Sequence, residues 1–429
     1  MNLELTNFAK VGHVNVCLDG LTVIAGKNST GKSTISRAVM TYFTVLRRMG
    51  EHIRRARVHS VIEQLQTILD LPSYTHWRLS RSIGYGYFDL EEDLFHESFW
   101  TDPEALIDLL KKSRVVRNDS GSVGRLGIER MVREKFPAVR RAISAILDRP
   151  NEEYEELIFR TIFNKVFRRQ VCPLGDANAV ASLKVMNGDR LEELDIQGEA
   201  LLKWPKEAKS AFRSVLYMEP INILDIIGDD GEGELDDRYD AGEQCWSSIL
   251  RSKRYLLDNT LETDKRIQRA KEVLKTVGNI TGGNLEDVDG DLKFKDDKID
   301  EPIELLNLAS GAKSVSMLLK ALGNGSLQSG DLLIGDEPES NLHPEWQVKF
   351  AELLVLVQKE LGIKVLLNTH SPYFLKALET SSKKFGVQGS AHYYFMRAEN
   401  GQASGDEITD DLTVAYEALY KPLAEIMEA

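Results

Sequence analysis

Gly26-Lys27-Asn28-Ser29-Thr30-Gly31-Lys32-Ser33-Thr34 follows the short apolar run Leu21-Thr22-Val23-Ile24-Ala25 and precedes Ile35, Val39 and Phe43 at helical spacing. The apolar run reads as a buried strand, and the four-residue spacing predicts a helix from Lys32 to about Met49 whose apolar stripe packs on a sheet. A glycine-rich turn between a buried strand and a helix is the setting in which this pattern holds phosphate. Gly26 and Gly31 let the backbone curl so that N–H groups of Asn28, Ser29, Thr30 and their neighbours converge, and the helix adds the positive end of its dipole. Lys32 then reaches the terminal phosphates, while the Ser33 hydroxyl, with Thr34 beside it, lies where magnesium is ligated.

Three further stretches fall into step with this one. Asp331-Leu332-Leu333-Ile334-Gly335-Asp336-Glu337-Pro338 is an apolar strand that delivers two acids at its carboxyl end, the edge at which open α/β sheets bind ligands. Asp336 is placed to hold magnesium, and Glu337 to orient or deprotonate a water attacking the γ phosphate. After a helix predicted over Glu345 to Leu361, the apolar run Ile363 to Leu367 ends in Asn368-Thr369-His370-Ser371-Pro372, which puts His370 at the same edge in parallel-sheet rhythm. Alone, a histidine after a strand is usually structural. Leu308-Ala309-Ser310-Gly311-Ala312-Lys313, before a helix ending near Leu322, would be an ordinary helix start but for its position one helix and one strand ahead of Asp336.

Together these residues resemble an ABC-type ATPase of the SMC, RecF and OLD-like branch. The resemblance assigns Gly26 to Thr34 to the Walker A loop, Leu308 to Gly311 to the signature, Leu332 to Glu337 to Walker B, Glu339 to His343 to the D-loop and His370 to the switch histidine. The wording Asp336-Glu337-Pro338-Glu339-Ser340-Asn341-Leu342-His343-Pro344 is similar to AAA-family ATPases of bacterial anti-phage systems, PtuA-like or AriA-like. It implies ATP and Mg2+ as cofactors and an α/β head, a mixed, mostly parallel sheet flanked by helices, with a large helical insertion. It further implies a second copy of the chain whose Ser310 and Gly311 bind the γ phosphate held by Lys32. Ala309, Ala312 and Lys313 depart from transporter signatures, and the Q-loop is placed only at the strand end Met218-Glu219. The resemblance covers residues 1–48 and 275–380 by motif and the middle by architecture alone.

The remaining text sets the expected layout. Residues 1–48 open the head with strands at Leu3 to Phe8, His13 to Leu18 and Leu21 to Ala25; 49–172 read as a helical insertion, with helices in Val61 to Leu71, Pro103 to Lys112 and Ile128 to Leu147. Residues 173–227 hold a hairpin around Asn187-Gly188-Asp189 and a strand from Ser214. Residues 228–276 join an acidic, glycine-rich loop to a helix over Ser247 to Val277, and 277–429 return to the head with a short strand near Leu292 and a final helix over Leu412 to Met427. The acidic loop lacks calcium-loop spacing and reads as a solvated segment.

Composition narrows the function. The 429 residues carry a formal charge of −13, which works against indiscriminate nucleic-acid binding, although the arginines between Arg47 and His59 form either a basic patch or a solvated helix face. Cys17, Cys172 and Cys245 lack paired spacing for zinc or a disulfide framework. No apolar run is long enough to span a membrane and the first residues lack a secretory pattern, so no membrane role and a cytoplasmic location are expected. The expected function is an ATPase that dimerises around ATP and assembles or controls a separate effector in anti-phage defence. Only about fifty residues follow the switch region, so a Toprim, HNH or toxin-like activity is expected in the partner. The alternative is a DNA-repair or chromosome-maintenance ATPase that clamps DNA, with long coiled-coil arms as its expected mark.

Overall fold

A computed structural model describes residues 1–70, 101–112, 125–176, 178–218, 268–273, 275, 281–288, 291–324, 327–399 and 401–428. The chain divides into two compact units, Met1–Arg47 with Phe159–Ala429, and Arg48–Ile158.

The first unit is built on an eleven-stranded sheet. Its strands are β1 (Asn2–Phe8), β2 (Val11–Cys17), β3 (Leu21–Gly26), β4 (Val180–Asn187), β5 (Arg190–Gln197), β6 (Ala200–Lys203), β7 (Val215–Met218), β11 (Leu332–Asp336), β12 (Lys364–Thr369), β13 (Ala391–Glu399) and β14 (Gln402–Glu407). They are ordered β6-β5-β4-β1-β2-β14-β13-β3-β12-β11-β7. From β13 to β7 every neighbour is parallel, whereas the β6-to-β2 half is antiparallel throughout. The expected mostly parallel sheet therefore describes one half, and that half carries the motifs. Every residue of β3 and β11 is buried, as central parallel strands covered on both faces require. Three short strands, β8 (Gly283–Val288), β9 (Asp291–Asp296) and β10 (Ile303–Glu304), form a separate antiparallel sheet, of which the sequence reading anticipated only β9.

Helices pack on this sheet through Leu318 and Leu322 of α5 (Ser310–Gly323), Phe350 and Leu354 of α6 (Pro344–Leu361), and Phe374 and Leu378 of α7 (Pro372–Phe385). α6 and α7 start alike. His343 and Ser371 are N-caps, each followed by proline, whose fixed φ suits the first helical position and disfavours helix in the residue before it. The loops after β11 and β12 are accordingly limited to residues 337–343 and 370–371. α8 (Thr413–Glu428) is tied down by Tyr416, whose hydroxyl donates to Glu379 of α7.

Several expectations need correction. The helix after the glycine-rich loop, α1, runs from Lys32 to Ile68, well past Met49, and between Ile35 and Leu46 only Arg37 is exposed, so this stretch is buried around most of its circumference rather than along one stripe. Tyr42 and Phe43 contact Phe159 and Phe212, which accounts for the second covered face. The helical unit closes at Ile158, not at residue 172: α4 (Asn151–Val166) continues beyond it, and Phe163 and Phe167 pack on Phe8 of β1. In the β4–β5 hairpin Asn187 pairs with Arg190, so the two-residue turn is Gly188-Asp189, and of these only Gly188 has a positive φ. β13 and β14 were not anticipated, yet β13 lies beside β3 near the middle of the sheet.

The second unit holds the rest of α1, α2 (Pro103–Lys112), α3 (Arg125–Leu147) and the start of α4, around a core that includes Val61, Leu65, Leu106, Val139 and Ile143. Among the arginines between Arg47 and His59, Arg48 and Arg55 pair with Glu51, and Arg57 bonds Asn151 and lies over Tyr154. That favours the solvated helix face over the basic patch. The acidic 228–243 stretch, the loop from Glu219 and most of the predicted 247–277 helix lie outside the described residues; 268–273 are helical. No described helix is long and apolar enough to cross a membrane.

Candidate functional site

The parallel half of the sheet puts three loops at one edge. β3 ends at Gly26, β11 at Asp336 and β12 at Thr369, and the register aligns Asp336 with Asn368 and Thr369 with Ala25. Residues more than 300 positions apart are brought within bonding distance by that alignment.

The Gly26–Thr34 loop is curled on itself. Ser29 and Gly31 have φ values of 65° and 83°, turning successive N–H groups inward as in an anion nest. Gly31 has no substitute, because a Cβ there would lie 2.9 Å from Val11 in addition to the positive φ. Asn28 and Ser29 are exposed at the tip, Thr30 is buried and donates to the Lys27 carbonyl at 2.8 Å, and Thr34 is half-buried in the first turn of α1. Lys32 is 4% exposed, and its Nζ donates to the carbonyls of Gly26 at 2.9 Å and Lys27 at 2.8 Å. Burial lowers its pKa, and the nearby Glu337, Asp336 and Glu339 oppose that shift. An ammonium so enclosed gains from any added negative charge, which is what a polyphosphate supplies.

Opposite the loop, Ser33 donates from Oγ to Asp336 Oδ1 at 3.0 Å. Asp336 also accepts from Asn368 Nδ2 at 2.9 Å and, on Oδ2, from the Tyr217 hydroxyl at 3.0 Å; Asn368 Nδ2 lies 2.7 Å from Ser36 Oγ. This donor set fits magnesium: a hydroxyl and a carboxylate oxygen converge from two loops, and a hard cation of this size is commonly held by one or two carboxylates with phosphate and water completing its shell. Among the described residues no cluster of three or more His, Cys, Asp or Glu side chains could hold a metal alone.

Glu337 follows with φ 51°, a left-handed conformation that a non-glycine residue adopts at a cost of about 1–2 kcal/mol, and its N–H donates to the Asn368 carbonyl at 3.0 Å. The bend turns the chain out of the strand immediately after Asp336. Glu337 Oε1 lies 3.0 Å from His370 Nδ1, off the line of a hydrogen bond, so Nδ1 is buried without one. An acid and an imidazole this close can share the handling of a proton or a water.

Lys32, Ser33, Asp336, Glu337 and His370 thus come together. Ser310 and Gly311 stand apart from that network. They open α5, with Ser310 half-buried and Ala309 as an N-cap lacking any side-chain hydrogen bond. A Cβ on Gly311 would lie 2.7 Å from the Asn341 carbonyl, so the helix start packs directly on the loop after Glu337.

Residues 205–376 match a family described as "AAA domain, putative AbiEii toxin, Type IV TA system". The match takes in Tyr217, Asp336, Glu337 and His370 and leaves the Gly26–Thr34 loop outside it. Among solved structures the chain is similar to an SMC head bound to the C-winged helix domain of ScpA, at 11% identity, 95% and 96% coverage of the two chains and a TM-score of 0.39. It is also similar to the SMC head domain from Thermotoga maritima, at 11% identity, 95% and 98% coverage and a TM-score of 0.37. An SMC head with an extended coiled coil, bound to the C-terminal domain of ScpA from Pyrococcus furiosus, gives 13%, 99%, 98% and 0.30 in the same order. The fold rests on the sheet order above and not on these likenesses. No curated protein matches the chain.

Sequence reading missed Tyr217, Ser36, Asn368 and Thr369 as members of the site, and named Glu339 only as the start of a loop. Asn368 and Thr369 adjoin His370, so strand alternation at the end of β12 was the signal available for them. Tyr217 had none, because its role depends on β7 lying beside β11.

Proposed function

We propose that the chain binds ATP with magnesium in the Gly26–Thr34 loop and hydrolyses it, acting as a pair of copies that controls a separate effector in anti-phage defence. The observation that carries the catalytic part is the junction of Ser33 with Asp336 at 3.0 Å, beside a buried Lys32 and a Glu337–His370 approach of 3.0 Å. Lys32 leaves the loop carbonyls for the β and γ phosphates, and Ser33 and Asp336 hold magnesium directly or through water. Magnesium, when bound, neutralises charge developing on the phosphates. Glu337 orients the attacking water and accepts its proton, while His370 meets the γ phosphate from the neighbouring strand end.

The pairing follows from what one copy lacks. Ser310 and Gly311 lie outside the cluster, and an uncapped helix start is suited to receive the terminal phosphate held by a second copy. The defence setting is supported by the toxin–antitoxin wording of the matched family. Against the DNA-clamping alternative, Arg48 and Arg55 pair with Glu51 and leave less uncompensated positive charge in that stretch of α1.

Lys32→Ala should weaken ATP binding about 10- to 100-fold, the range for losing one or two charge-assisted hydrogen bonds, and a nucleotide titration reads it. Glu337→Gln should keep ATP affinity and lower phosphate release about 100-fold or more. Equal affinity in wild type and Lys32→Ala would remove the reading.

A further inference from the structure

Two side chains outside the phosphate, metal and water contacts hold the loop that carries His370. Glu339 is 2% exposed, and its Oε1 accepts from the Thr369 hydroxyl. That same Thr369 oxygen accepts from the Ser371 N–H at 3.0 Å, so one shoulder of His370 is fixed through Glu339. Gln347 of α6 fixes the other. Its Oε1 accepts from the Ser371 hydroxyl at 2.9 Å, and its Nε2 donates to the Leu342 carbonyl at 3.1 Å. The residues immediately before and after His370 are therefore tied to the segment that follows Glu337.

A purely structural contact here would be better made by apolar groups. A carboxyl buried with one oxygen unpartnered, as Glu339 Oε2 is, costs stability that a leucine or methionine would not. What polar ties supply and apolar ones do not is direction: each bond fixes an angle as well as a distance. Direction matters at this point because His370 Nδ1 approaches Glu337 Oε1 without a hydrogen bond of its own to fix the ring.

We propose that Glu339, through Thr369, and Gln347, through Ser371, are positioning residues that set His370 against Glu337 for ATP hydrolysis. The inference rests on the ATPase reading above. The side-chain hydrogen bonds of Glu339 and Gln347 run to Thr369, Ser371 and Leu342 and none to the Gly26–Thr34 loop or to Asp336, so their expected effect is on turnover more than on ATP binding.

The test is steady-state ATP hydrolysis by the full chain with magnesium, with ATP affinity measured separately by titration. Wild type should turn ATP over; if it neither binds nor hydrolyses ATP, the ATPase reading fails and this inference with it. Given wild-type turnover, Glu339→Ala and Thr369→Val should each lower kcat about 10- to 100-fold with ATP affinity within about threefold, the size of effect that misplacing a catalytic group produces. The double variant should be no slower than the worse single one, because both break the same tie. Thr369→Ser, which keeps the hydroxyl, should restore most of kcat. Should Glu339→Ala fail to fold, Gln347→Ala on the half-buried face of α6 carries the same expectation. Unchanged kcat in folded Thr369→Val and Gln347→Ala, or a loss confined to ATP affinity, would overturn the proposal while leaving the ATPase reading in place.

Discussion

At the scale of single residues the site is a set of buried polar groups held by neighbours on other strands. Glu339 shows the balance most plainly. Burial raises its pKa to about 7, the Thr369 hydroxyl opposes the rise and the charge of Glu337 adds to it. Its folded-state value thus lies above the ordinary carboxylate value, so between about pH 4.5 and 7 the folded chain retains a proton that the unfolded chain has released. The stabilisation is complete below that window and is lost as pH rises through it, by an amount on the order of 3 kcal/mol. Glu339→Gln, which cannot ionise, should flatten this decline. Urea unfolding of both proteins from pH 5 to 8 measures it, and parallel curves would show that Glu339 is not the group responsible.

At the scale of elements, strand register does what no single residue can. Parallel pairing of β11 with β12 and β7 places Asn368 and Tyr217 around Asp336, and the prolines at the starts of α6 and α7 keep the connecting loops short. The contact between α5 and the 341–342 segment has a sharp test. Gly311→Ala would gain about 1 kcal/mol of helix propensity at an open position. Here the new Cβ would meet a backbone oxygen and Leu342 at 2.7 Å, and overpacking against backbone typically costs about 1–3 kcal/mol. The clash should win. A lower melting temperature is expected, with Lys32-dependent ATP binding retained, and a stabilised variant would show that α5 does not bear on that segment.

At the scale of the whole molecule, one copy assembles the phosphate loop, the acid pair and the histidine, while Ser310 and Gly311 open α5 against the Asn341–Leu342 segment with no hydrogen bond into that cluster among the described residues. If two copies complete one another, Glu337→Gln with ATP and magnesium should run at twice its nucleotide-free mass in sizing chromatography with light scattering. Lys32→Ala should stay at the single-copy mass under the same conditions. A Glu337→Gln protein that keeps ATP yet remains a single copy would end the pairing proposal and leave hydrolysis within one chain.

Local sequence determined the pieces that short-range physics controls: the glycine-rich turn before α1, the apolar runs ending in Asp336-Glu337 and Asn368-Thr369-His370, and the Pro-started helices. Each is written in a few consecutive residues, because turns, caps and buried strands depend on neighbours in the chain. The strand β13 was also written locally, in the aromatic run Tyr393 to Phe395, and its central place beside β3 was not. Only the tertiary structure decided strand order, and with it that Tyr217 supports Asp336, that Glu339 reaches Thr369, that the first half of α1 is buried around most of its circumference and that the helical unit ends at Ile158. Those outcomes depend on which surfaces meet across long chain separations, and the pattern of one segment does not encode the identity of its distant neighbour.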